Sequence, residues 1–322
     1  MRARAIHRVS HESNRAFGVF QRTKFNTKVY SIKAIEAEGW EILVSETSGG
    51  AQQILQAKKL IVATGLTSQP NMPSYSGLET FTPLLFHAKD FCTHSHTVND
   101  CQKTIVVGGG NSAVIQDHGY EEHPELFKLK PWQNAFWTGS GIGIHNYPTS
   151  FFDLVKEGKI RVHITDITKL DGTTVHLTSG EAIETEVMVC ASGWKKESNI
   201  KFLNFSTNLS ALSTERYEPE KEEPLRNCRF VVPSGAVFNR NIAFADMVST
   251  TSTSMFATTQ ALWISAFFDG KLKRSPNPAD EVTKEIMLHS QFGNWRYPCG
   301  YGASLPPLIL FHMPNSYSMI SA

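Results

Sequence analysis

The feature that most constrains this chain is a short apolar strand that runs straight into a glycine turn. Thr104-Ile-Val-Val-Gly108-Gly109-Gly110-Asn111-Ser112-Ala113 has the spacing G-x-G-x-x-A directly after the strand. Each small residue there has a physical reason. The first glycine permits a tight turn, the second lets the backbone approach a pyrophosphate, and the third small residue lets the next helix pack on the strand. The free amides at the start of that helix attract the phosphates. The pattern predicts nucleotide-binding ancestry, with Gly108, Gly110, Asn111, Ser112 and Ala113 at the phosphates. Present-day binding needs more. Gly119 and Pro124 limit a helix after Ala113 to about two turns, whereas a full βαβ unit needs roughly 30 residues. No following strand offers an acid for a ribose or an arginine for a 2′-phosphate. A turn kept only for packing accounts for the same residues.

Two other apolar runs also end on glycine. They are Lys59-Leu-Ile-Val-Ala63-Thr64-Gly65 and Val187-Met-Val-Cys-Ala-Ser-Gly193. Runs that are apolar throughout suit strands buried on both faces of a parallel sheet, and the run at 103–108 is read the same way. The repeated ending, Ala-Thr-Gly and Ala-Ser-Gly, is what two related nucleotide-binding sheets, or one sheet interrupted by another, would leave behind. Residues 24–65 alternate as strands around a Ser48-Gly-Gly turn. Residues 66–103 are expected to be loop-rich, 119–150 irregular and aromatic, and 151–193 a short helix followed by strands. Residues 205–227 look like a polar surface excursion. Residues 254–269 predict a helix, with Phe256, Leu262, Trp263 and Phe267 among its apolar positions. The chain from 290 onward is aromatic and proline-rich.

Composition excludes several classes. The 322 residues are 41% hydrophobic and 19% charged, which is unlike a disordered chain. A net charge of +1 makes no electrostatic case for nucleic acid. There is no run of about 18 apolar residues, so no transmembrane segment is expected. The basic start, Met1 to Arg8, has no apolar core and does not resemble a secretory signal. Cys92, Cys101, Cys190, Cys228 and Cys299 form an odd, scattered set, which argues for reduced thiols and a cytoplasmic setting. Cys92, His94, His96 and Cys101 lie close together, but their spacing matches no common zinc frame and no metal is expected.

The motifs together resemble the flavin-containing monooxygenases and their Baeyer–Villiger relatives. Phe81-Thr-Pro-Leu-Leu-Phe-His87-Ala-Lys-Asp-Phe91 is similar to that family's F-x-G-x-x-x-H-x-x-x-F/Y fingerprint, with Pro83 where the pattern has glycine. Ala63-Thr64-Gly65 resembles the crossing from the FAD domain to the NADPH domain, and Cys190-Ala-Ser-Gly-Trp194 the return crossing. Gln260-Ala-Leu-Trp263 resembles the C-terminal helix that closes the FAD domain. Trp295-Arg-Tyr-Pro298 and Gly300-Tyr-Gly302 look like the tail of fungal members. Two departures stand out. Nothing in residues 1–25 matches the family's first G-x-G-x-x-G turn. After Ala113 the chain passes directly to segments around Trp132, Trp137 and Tyr147 that resemble later parts of the family.

The resemblance implies an α/β fold made of remnants of two Rossmann-like dinucleotide-binding domains, for FAD and NADPH, both incomplete. Residues 1–65 would be the C-terminal part of the FAD domain with a β-meander. Residues 66–193 would be a shortened NADPH-binding domain, and 194–322 the closing part of the FAD domain and the tail. FAD and NADP are the implied cofactors, with Ala63, Thr64, Gly65 and Gln260 joining the glycine turn as cofactor-binding residues. The implied reaction is oxygenation of a small organic substrate by NADPH and O2 through a C4a-(hydro)peroxyflavin, in fungal secondary metabolism. The flavin carries that chemistry, so no side-chain nucleophile is required and no catalytic residue is assigned. His87 is read as a structural residue at the domain junction. The run Ser249–Ser254 is read as a helix cap or as amides facing a flavin. Trp132, Trp137 and Trp295 are read as packing residues rather than substrate lining. The alternative is a pseudoenzyme or a non-redox small-molecule binder on the same scaffold. The substrate and any homo-oligomeric assembly stay open.

Overall fold

The computed structural model describes residues 15–35, 39–65, 67–108, 120–130, 151–195, 200–205, 227–246, 253–273 and 279–296. By its internal contacts the chain forms two compact units, Met1–Leu60 with Asn199–Ser206, and Ile61–Ser198 with Thr207–Ala322. Among the described residues no helix is long and apolar enough to cross a membrane.

The first unit is a four-stranded sheet, preceded by the helical turn α1 (Val19–Arg22). Strands β1 (Thr27–Ile35), β2 (Gly39–Glu46) and β3 (Gln53–Ala57) form the meander expected from the alternating pattern. They pair antiparallel in order, and the later strand β11 (Lys201–Leu203) adds parallel to β1. Trp40 is buried and meets Phe205 edge-on at 5.2 Å. Gly39 has φ 111°, and a Cβ there would collide with the Ala57 carbonyl, so the close approach of β2 to β3 needs glycine.

The second unit holds the parallel sheet. Strand β4 (Leu60–Val62) leads into it, and β5 (Leu84–His87) follows. Next come α2 (Phe91–Asp100), β6 (Thr104–Val107), α3 (Pro124–Phe127) and α4 (Phe151–Lys156). A second meander consists of β7 (Ile167–Asp171), β8 (Thr174–Leu177) and β9 (Ala182–Glu184), and β10 (Val187–Cys190) completes the sheet. The sheet order is β5-β10-β6, all parallel. All four residues of β10 are buried, because the strand is central and covered on both sides. Met188 and Cys190 face the β7–β9 meander with Leu170, Val175 and Leu177. Val187 and Val189 pack with Phe86 and with Val98 of α2 on the other side. This three-layer arrangement explains the unbroken apolar run.

Three expectations need correction. Among the described residues the run at 103–108 is an edge strand, and Val106 is 61% exposed rather than buried. In β4 only Val62 is buried, and Ile61 is exposed. Within the segment read as loop-rich, Phe91–Asp100 is a helix, anchored by Val98 and by His94 against Phe86 at 4.5 Å. Of the segment 205–227, residues 206–226 lie outside the described residues.

The closing part of the second unit contains β12 (Asn227–Cys228), β13 (Val232–Pro233) and β14 (Ile242–Phe244). Helices α5 (Thr253–Phe268) and α6 (Ala279–Arg296) follow. Strands β12 and β13 make an antiparallel hairpin, and β14 pairs with β4. Helix α5 matches the expected helix at 254–269 and buries Trp263, Ile264 and Phe267. Helix α6 runs through the segment read as tail, to Arg296.

Candidate functional site

Strand β4 ends on Ala63, Thr64 and Gly65. Ala63 and Thr64 are exposed and Gly65 is left-handed at φ 66°. Beside it β14 delivers Asp246. The Ala245 N–H donates to the Val62 carbonyl at 2.8 Å, which holds the two strand ends side by side. A Cβ on Gly65 would lie 3.9 Å from the Asp246 carbonyl oxygen and 4.0 Å from its Oδ2. Asp246 is itself left-handed at φ 57°, unusual for a side chain other than glycine, and such outliers gather at binding sites. Its N–H donates to Oε1 of Gln260 at 2.9 Å, and burial pushes its carboxyl above the usual carboxylate range.

Gln260 is the sharpest signal here. It is fully buried on α5, and its Nε2 has no hydrogen-bond partner among the described residues. A buried amide donor without a partner costs on the order of 1–3 kcal/mol, so such a group points to a ligand or water. The expected residues Ala63, Thr64, Gly65 and Gln260 thus converge on one place, and Asp246 belongs with them. In the sequence Asp246 stands just before the run Ser249–Ser254 that is read as a helix cap or as amides facing a flavin, but nothing there assigns it to the site. Nothing local marks its left-handed backbone.

Of the glycine turn only Gly108 is among the described residues. Gly108 has φ 124°, and a Cβ there would collide with the Ala191 carbonyl. The Ala191 N–H donates to the Val107 carbonyl at 2.7 Å. Gly108 is therefore needed for packing against β10's end, whatever else it does. Gly110, Asn111, Ser112 and Ala113 lie outside the described residues, as do Trp132, Trp137 and Ser249–Ser252.

Residues 69–71 run beside residues 192–195. The Lys195 N–H donates to the Gln69 carbonyl at 2.8 Å, and the Asn71 N–H to the Gly193 carbonyl at 3.0 Å. The Ser192 hydroxyl donates to the Asn71 carbonyl at 2.6 Å. His87 clamps this ribbon. Its Nδ1 accepts from the Lys89 N–H at 3.1 Å, so its Nε2 carries the proton and donates to Gly193 O at 2.8 Å. The ring is buried and edge-on to Trp194 at 5.0 Å. Both nitrogens are engaged, which leaves neither for proton transfer. Lys89 Nζ adds a bond to the Ser68 carbonyl at 2.9 Å. Arg240 lies against Gly270 at the C-terminal end of α5, where a cation suits the helix dipole. Among the described residues no group of three or more His, Cys, Asp or Glu is placed to hold a metal ion.

A sequence profile of the family described as pyridine nucleotide-disulphide oxidoreductase matches residues 19–231. An FAD-dependent monooxygenase from Pyrenophora dematioidea is 23% identical over 92% of this chain and 79% of that protein. That alignment runs over 439 positions, and this chain has 322 residues, so at least 117 positions within it are gaps in this chain. Among solved structures, S-allyl-L-cysteine S-oxygenase from Allium sativum superposes with a TM-score of 0.56 at 14% identity, covering 95% of this chain. The chain spans only 62% of that structure. Cyclohexanone monooxygenase from Rhodococcus sp. Phi1, bound to NADP+, superposes with a TM-score of 0.52 at 15% identity, over 92% of this chain and 76% of that one. At these identities the structural likeness is one of fold.

Proposed function

The chain belongs to the pyridine nucleotide-disulphide oxidoreductase family, and on that premise we propose that it is an FAD-dependent monooxygenase that uses NADPH and O2 to oxygenate a small organic molecule. The observation that carries this reading is the orphaned Gln260 Nε2, buried one hydrogen bond away from the left-handed Asp246. A flavin fits that donor set. Gln260 Nε2 offers an amide proton to a carbonyl or ring nitrogen. Asp246 offers an acceptor to a hydroxyl, and Gly65, with no side chain, lets a ligand approach the backbone. When bound, FAD would supply the redox chemistry, and this chain would supply binding, orientation and exclusion of water.

NADPH is proposed for the glycine turn that starts at Gly108, with Gly110, Asn111, Ser112 and Ala113 at its phosphates. The named FAD-dependent relative and the NADP+-bound neighbour support the pair of cofactors. The proposed division is residues 1–65 and 194–322 on the FAD side and 66–193 on the NADPH side. The fungal source of the relative supports a place in fungal secondary metabolism, and a cytoplasmic setting completes the reading.

The test is direct. Protein purified with added FAD should be yellow, and denaturation should release the flavin. It should then consume NADPH in a manner that depends on FAD. A colourless, cooperatively melting protein that takes up no FAD would sink this reading and leave a non-redox binding role. Flavin-loaded protein that ignores NADPH would instead remove the glycine turn from the proposal.

A further inference from the structure

Arg229 and Phe230 are the central residues of the turn joining β12 to β13. Both are left-handed, at φ 53° and 59°. The Val231 N–H closes the turn on the Cys228 carbonyl at 3.0 Å. Both positions take the left-handed conformation, which favours asparagine and glycine. Two bulky residues there are strained, and strain persists only where the surroundings overdetermine it.

Those surroundings are one face of α6. Glu285 Oε1 accepts the Arg229 N–H at 3.1 Å and the Cys228 S–H at 3.7 Å. Glu285 Oε2 lies 3.9 Å from Arg229 Nε, and the guanidinium sits 5.7 Å from the Trp263 ring centroid on α5. One helical turn further on, His289 stacks flat on Phe230, centroids 5.3 Å apart and planes 5° apart. Glu285 and His289 thus hold the two strained residues from the same side.

The hairpin leads to the candidate site. The Val231 carbonyl accepts the Phe244 N–H at 2.7 Å, the Ala245 N–H bonds Val62, and the Asp246 N–H bonds Gln260. Hydrogen bonds therefore join Glu285 to the turn and the turn to Phe244 at the end of β14, and Asp246 follows Phe244 two residues later in the chain. We propose that Glu285 is a positioning residue for the flavin site. By holding the Arg229-Phe230 turn left-handed, it sets where β14 ends and so where Asp246 stands relative to Gln260. This inference rests on the FAD-binding reading above.

The experiment uses the full chain and FAD titrated by flavin fluorescence. Glu285→Ala should weaken FAD binding roughly tenfold, the size of effect that freeing one strained residue allows. The visible circular dichroism of the bound flavin should change as well, which general loss of stability would not cause. Glycine adopts the left-handed region freely. In an Arg229→Gly background, Glu285→Ala should therefore change FAD affinity by no more than about twofold, the scatter of independent changes. In an Arg229→Ala background, which removes the ion pair but keeps the strain, the roughly tenfold loss should remain. Equal behaviour of the two backgrounds would show that Glu285 holds the guanidinium and not the turn, and would overturn the proposal. If Glu285→Ala fails to fold, Glu285→Gln keeps an acceptor for the Arg229 N–H and should bind FAD as the wild type does; a large loss there overturns the proposal. Wild-type protein that takes up no FAD refutes the function itself. Wild-type and Glu285→Ala proteins that bind FAD equally well refute the positioning role alone.

Discussion

Gln260 shows what a single residue can say. A side chain this buried is usually satisfied, and its Oε1 is, through the Asp246 N–H, but its Nε2 is not. Gln260→Leu should shift the stability of flavin-free protein by at most about 1 kcal/mol, because removing an orphan donor offsets losing the acceptor. FAD affinity should fall roughly tenfold, as for one lost buried bond. Melting curves and flavin titration separate the two, and a matching loss of both would make Gln260 a packing residue. Gly108 has the opposite character. Gly108→Ala should destabilise the protein by about 1–3 kcal/mol, from the positive φ and the collision with Ala191, whether or not nucleotide is present. Burial lowers the pKa of His289 below the usual 6.5. The groups that raise and lower it further are Glu285 and Arg229, in that order. A depressed histidine means that the unfolded chain binds the proton first as pH falls. Stability is therefore complete above about 6.5 and declines below it. Melting temperature should drop from pH 7 to 5.5, and His289→Phe should flatten that slope; an unchanged slope would assign it to other groups.

At the scale of elements, the most informative unit is the ribbon of crossing segments under His87. His87→Ala would strand the Gly193 carbonyl and the Lys89 N–H, at a cost of about 1–3 kcal/mol. Turnover per flavin-loaded molecule should persist, because both ring nitrogens are already committed to the backbone; loss of turnover with flavin still bound would restore a catalytic role. The motif was legible in sequence, and so was its structural role, because the fingerprint spacing survives the Pro83 substitution. Helix α2 was not legible. Phe91-Cys-Thr-His-Ser-His-Thr-Val-Asn-Asp contains few strong helix formers, and packing of Val98 and His94 on the sheet supplies what propensity lacks. Helix α5 was legible as one long, largely apolar run without glycine or proline, but its buried face was not: Trp263 and Phe267 are buried, whereas Leu262 is exposed.

For the whole molecule, the proposed function predicts linkage between flavin and folding. FAD at about 100 times its dissociation constant should stabilise the protein by about 2.7 kcal/mol, read as a rise in melting midpoint that grows with concentration. A midpoint indifferent to FAD would contradict it. The gaps in the alignment with the Pyrenophora protein agree with a chain shortened internally. What the sequence determined by itself is local and periodic: the strands that end on glycine, the meander around Ser48-Gly49-Gly50, the closing helix and the order of the motifs. These depend on side-chain size and spacing along the chain, which are written in the sequence. What only the tertiary structure decided is non-local. Whether a run of valines is central like β10 or an edge like β6 depends on which strands flank it. The meeting of Gly65, Asp246 and Gln260, and the grip of Glu285 on a strained turn 56 residues earlier, depend on contacts between distant segments. Asp tolerates the left-handed backbone better than most side chains, yet neither Asp246 nor Arg229 has a local signature that predicts it; at Arg229 packing imposes it against the residue's own preference.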